Sequence, residues 1–124
     1  MIADYMENGF LDNIMDMFRH DKTLYRLVGE LIQDERVRVR IGVTALMEEM
    51  KRLDPANIFL ALENLHPLFD HGDAVVRGDS ANLVGIIGDR NSQPHLRKLL
   101  SDGDENVRLI AADALVETGS ELGE

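Results

Sequence analysis

The residues with which this chain could do chemistry are its 4 histidines and 23 carboxylates. The densest group is His66, Asp70, His71 and Asp73. His66 and Asp70 stand four apart and would share a face of a helix. Imidazole and carboxylate are both ligands that divalent metals accept. Pro67 follows His66, however, and the group straddles a turn, where Asp and His serve the backbone; the expectation is a turn, with no metal and no cofactor. Glu48 and Glu49 are adjacent, so on a helix they point in different directions and read as surface, not as an acid/base pair. No phosphate-binding G-x-x-x-x-G-K and no G-x-S-x-G nucleophile elbow occurs. The absence of cysteine excludes a disulfide framework, a thiolate zinc site and a Cys nucleophile. We therefore expect a protein that is not an enzyme.

A second pattern is charged. Asp34 precedes Arg40 by six residues and Asp102 precedes Arg108 by six; the middle instance has His71 before Arg77. Two readings compete. In the first, Asp34, Arg40, Arg77, Asp102 and Arg108 form a structural ladder, each turn carboxylate accepting from an arginine of its own or the next repeat, since the guanidinium fork can serve two partners. In the second, the arginines align to grip an anion. The formal net charge of −10 favours the ladder, because the field over most of the surface repels polyanions. Nucleic acid is excluded as a partner on the same ground. The acidity is uneven: residues 1–53 hold 8 basic and 10 acidic side chains, residues 54–124 hold 5 and 13.

The elements that position these residues repeat. Leu31-Ile32-Gln33-Asp34 with Val39-Arg40, Leu68-Phe69-Asp70-His71 with Val76-Arg77, and Leu99-Leu100-Ser101-Asp102 with Val107-Arg108 align at spacings of 37 and 31 residues, the range of helical-hairpin repeats. After each Val-Arg the correspondence continues: Val43-Thr44, Ser80-Ala81 and Ala111-Ala112 fall together, as do Met47, Val84 and Leu115, and then Gly88 and Gly119, which suit left-handed C-caps. Asp54-Pro55 reads as an N-cap with Pro at the first helical position. Ser92, Asp21, Asp73 and Asp104 are further start signals. The expected helices run near 4–19, 22–32, 35–52, 55–69, 74–87, 92–100 and 105–118. No useful stretch alternates with period two, so no sheet is expected.

The run from Gln93 to Leu115, QPHLRKLLSDGDENVRLIAADAL, resembles a HEAT or HEAT-like repeat, and the resemblance extends over roughly residues 22–119. It implies an all-α, right-handed α-α superhelix (solenoid) of about three HEAT-like hairpins with an N-terminal capping helix. One domain spans 1–124, with 1–20 as the cap and 22–53, 54–88 and 91–119 as repeat units. The resemblance implies protein binding by a scaffold or regulatory module. The alternative is a HEAT-like lyase-type enzyme or accessory subunit acting on a cofactor or modified protein. Deoxyhypusine hydroxylase is similar in architecture, but its metal site relies on His-Glu pairs, and His20, His66, His71 and His95 are followed by Asp, Pro, Gly and Leu.

Mapping the HEAT pattern onto the second helices leaves Glu48, Glu49, Asp79, Asn82, Asp113 and Glu117 facing solvent. These are the partner-binding candidates, an acidic stripe suited to a basic segment of a protein; the plainer reading is a charged face that keeps the chain soluble. The terminal helices are rich in apolar residues, Phe10 to Phe18 at one end and Leu109, Ile110 and Val116 at the other. They suit a core cap or a contact such as a homodimer. Asp4 stands where a signal peptide would be basic, and no apolar run approaches the roughly 20 residues of a membrane span, so a cytoplasmic protein off the membrane is expected.

Overall fold

A computed structural model describes residues 2–120. Among them are eight α-helices, several short 3-10 segments and no strand. Contacts divide the chain into two compact units, Met1–Asn64 and Leu65–Glu124. The division falls inside the stretch 54–88 that reads in sequence as one repeat.

In the first unit, α1 (Ile2–Glu7) and α2 (Leu11–His20) replace the single helix expected over 4–19. Gly9 causes the break: its φ is +80°, a conformation that ends a helix and that other residues adopt at a cost. Beyond it the apolar pattern restarts, and Ile14 and Phe18, four apart on α2, are wholly buried while Asp12 and Asp16 face out. A 3-10 segment, Lys22–Leu27, capped by the Asp21 side chain, runs into α3 (Val28–Leu31). Then comes α4 (Val37–Leu53), which buries Val39, Val43, Leu46, Met47 and Met50. Tyr25 meets Phe18 edge to face at 5.2 Å, and its hydroxyl donates to Asp54 Oδ2 at 2.9 Å. Burial, with that carboxylate beside it, pushes the Tyr25 hydroxyl above its usual range.

Asp54 also accepts from the Asn57 side chain at 2.8 Å. It therefore ends α4 and organises a turn; it does not cap a helix beginning at Pro55. The helix expected over 55–69 is three short pieces: a 3-10 segment Ile58–Ala61, α5 (Leu62–Leu65) and a 3-10 segment His66–Asp70.

The second unit places α6 (Ala74–Ile87) along α8 (Glu105–Glu117), with α7 (Gln93–Lys98) between them in sequence. Asp73 and Asp104 cap α6 and α8 as their positions predict, their side chains accepting from the Val75 and Val107 amides at 2.9 and 3.0 Å. Gly88 follows α6 with φ +72°. Ser92 is different. It is buried, and its hydroxyl pairs with His66 instead of capping α7, while the Asp89 side chain caps the preceding turn. The positions matched at a spacing of 31 have matched burial: Val76 with Val107, and Val84 with Leu115. Close packing of α6 on α8 depends on Gly85, where a Cβ would stand 2.8 Å from Ala114 Cβ and 2.9 Å from its Cα. No helix among the described residues is long and apolar enough to cross a membrane.

Candidate protein-interaction groove

A furrow runs along the surface where α6 and α8 meet. One stretch is a cleft of about 270 Å³. Asn82, Gly85 and Ile86 of α6 and Ile110, Asp113, Ala114 and Glu117 of α8 line it. Toward the helix N-termini a second cleft, of about 180 Å³, is lined by Val75, Gly78 and Asp79 from α6 and by Asp104, Val107 and Ile110. Ile110 belongs to both. The floor is apolar, from Ile86, Ile110 and Ala114. The walls carry three carboxylates and an amide: Asp113 and Glu117 are exposed, as is Asn82, and Asp79 is half-buried.

Four of the six candidates, Asp79, Asn82, Asp113 and Glu117, thus line neighbouring clefts of the second unit. The other two lie on α4 in the first unit. Glu48 is exposed, and Glu49 accepts from Arg52 at 2.7 Å, an exposed pair one helical turn apart. Sequence reasoning missed Asp104, which serves both as helix cap and as cleft wall, and the isoleucines of the floor. Asp104 was legible only as a start signal, because a capping pattern does not reveal what else the carboxylate faces.

The ladder residues sit at the turns, but the six-residue spacing selects an unexpected acceptor. Arg40 donates to the Asp34 carbonyl at 2.9 Å, Arg77 to the His71 carbonyl at 2.8 Å and Arg108 to the Asp102 carbonyl at 2.7 Å. The acceptor is backbone each time, not carboxylate. The carboxylates are taken by other arginines. Asp34 receives Arg36 of its own turn through two bonds, 3.0 and 3.1 Å, and the same guanidinium reaches Asp4 at 2.9 Å. Asp102 receives Arg77 of the preceding hairpin through two bonds, 2.8 and 3.0 Å. Arg36 and Arg77, respectively, hold the Asp34 and Asp102 carboxyls below the usual carboxylate range.

The histidine cluster resolves into turn architecture. The Asp73 amide donates to His71 Nδ1 at 2.9 Å, and Asp70 is exposed. Among the described residues no three His, Asp or Glu side chains group so as to hold a metal. His66 is drawn away from Asp73 to Ser92 and lies stacked on His95, with ring centroids 4.0 Å apart.

Residues 62–122, which include most of the second unit, match the family described as HEAT repeats. That stretch, just under half of the chain, is HEAT-like. A search of curated proteins finds no match. HEAT repeats are generally protein-interaction scaffolds, and the furrow between α6 and α8 lies within the matched residues. The lyase-type alternative gains no support from the comparison. The apolar ends divide between core and surface. Ile14 and Phe18 are buried, whereas Phe10, Leu109 and Val116 are exposed.

Proposed function

We propose that this chain is a protein-interaction module that binds a basic, partly apolar segment of its partner in the α6/α8 furrow. One observation carries the reading: an apolar floor of Ile86 and Ile110 lies between walls that bear Asp79, Asp113 and Glu117. An apolar floor gives a partner side chain something to bury, and the carboxylates select its charge and speed its arrival. The chain's net charge of −10 acts in the same direction. Glu48 and Glu49 belong to the proposal as a second acidic surface on α4.

The test uses two synthetic peptides of equal hydrophobicity, one rich in Lys and Arg and one rich in Glu, titrated into the labelled full chain. The basic peptide should shift amide resonances of α6 and α8. Its affinity should fall as salt rises past physiological strength, where the Debye length is about 8 Å. Asp113→Lys combined with Glu117→Lys should abolish the shifts and leave stability within about 0.5 kcal/mol, as for surface substitutions. Binding indifferent to salt, or shifts confined to Leu109 and Val116 or to Phe10 and its neighbours, would overturn this assignment of the site.

A further inference from the structure

The pair His66 and His95 has no part in the proposed furrow, yet its geometry is specific. The rings are stacked, 15° from parallel with centroids 4.0 Å apart. His66 is fixed on its other sides, by Ser92 Oγ at 2.9 Å from Nε2 and by Phe69 with ring centroids 5.8 Å away. Ser92 is wholly buried. The stack therefore joins the 3-10 segment His66–Asp70 to α7. It lies in a cleft of about 210 Å³ that also holds Asp70, Lys98 and Asp102.

We propose that the His66–His95 stack is an acid-sensitive latch, holding the 3-10 segment against α7 while at least one ring is neutral and loosening it when both are protonated. Two neutral imidazoles, or one neutral and one charged, stack favourably. Two imidazolium ions at this distance repel. The surrounding charges do not cancel that repulsion. Asp102 is committed to Arg77, Lys98 adds positive charge from α7, and Asp70 is exposed on the segment itself. Asp89, before the Arg90–Ser92 turn, is the remaining carboxylate that favours a charged His66. Burial, and then His95, hold the His66 imidazole below its usual range in spite of Asp89. The sign follows: a depressed folded pKa means the unfolded chain binds more protons. The contribution is full above about 6.5 and is lost as pH falls from there through the folded value.

The test combines histidine titration by NMR with amide exchange on the full chain, for wild type and His95→Gln. In wild type, His66 should titrate below the ordinary histidine value, and His95→Gln should move it upward. Between about pH 7 and a pH below the His66 midpoint, protection of the amides of residues 66 and 68–70, corrected for intrinsic exchange, should fall about fivefold more in wild type than in His95→Gln. That is the factor for two unit charges about 4 Å apart screened as in water. A His66 that titrates at or above the ordinary value in wild type overturns the latch, and this measurement needs no variant to fold. So does an unchanged midpoint in His95→Gln.

Discussion

The two units use the same devices with different tolerances. In the first, Gly42 of α4 faces Met6, so a methyl group added there would meet Cγ and Sδ of a thioether side chain, which yield by a change of rotamer. In the second, Gly85 of α6 faces the Cα and Cβ of Ala114, which move only if α8 moves. The ion pairs differ in the same sense. The Arg36 and Asp34 side chains are 40% and 20% exposed, against 18% and 9% for Arg77 and Asp102. Arg36 takes Asp34 from its own turn and Asp4 from α1, whereas Arg77 takes Asp102 from the next hairpin. The lesson concerns where a repeat pattern stays readable. The family match falls on residues 62–122, which hold the Gly85–Ala114 contact and the Arg77–Asp102 pair and leave out α4, although the first unit has its own rigid approach, where a Cβ on Gly29 would collide with the Asn64 carbonyl oxygen.

The comparison can be broken most forcefully at the layer residues. Leu115 is 6% exposed and its repeat equivalent in the first unit, Met47, is wholly buried. Leu115→Ala should destabilise by about 2–5 kcal/mol in denaturant unfolding. A loss under about 0.5 kcal/mol would mean that the matching of the repeats is misplaced. The glycines come next. Gly85→Ala should cost about 1–3 kcal/mol through overpacking. Gly42→Ala should be near neutral or stabilising, since Met6 can swing aside and alanine is the better helix former by up to about 1 kcal/mol. Equal losses at the two sites would erase the contrast in tolerance.

The smallest contrast is electrostatic. Arg77→Ala should lower the melting temperature more than Arg36→Ala, because it strands a carboxylate with little access to water. Both aspartates have depressed carboxyl pKa values, so their contribution is present above about 3.9 and is lost as pH falls through the folded values. In either variant the acid-unfolding midpoint should move to higher pH. A larger movement for Arg36→Ala would reverse the ranking by burial.

Periodicity and capping made α6 and α8 legible almost to the residue, because Asp73, Gly88 and Asp104 act locally and the repeats at a spacing of 31 share one environment. The first arms of the hairpins read in sequence as plain helices, yet 22–31 and 58–70 are more 3-10 than α, and 90–101 is half 3-10. Their apolar spacing suits either helix type, and tertiary contacts such as Tyr25 with Asp54 decide between them. Gly9 inside the expected first helix was the available sign of a break. Of the furrow, the carboxylates were visible as positions the core does not need. Its floor was not, because Ile86 and Ile110 look like ordinary core residues until the closeness enforced by Gly85 is known. The partner of Asp102 was beyond reach of spacing, since Arg77 lies 25 residues away on another hairpin.

The bonds from Arg40, Arg77 and Arg108 to carbonyls six residues earlier bear on how such a chain can diversify after duplication. A carbonyl is present whatever side chain the residue carries, so the turn residue is free to drift while the arginine is not. The positions are held by Asp34, His71 and Asp102, two residue types around one unchanged bond. The side chains so released have been put to different uses: Asp34 to Arg36, His71 to the Asp73 amide, and Asp102 to the neighbouring hairpin. Each copy can thus acquire new surface chemistry at its turn without renegotiating the joint that holds the hairpin's two arms.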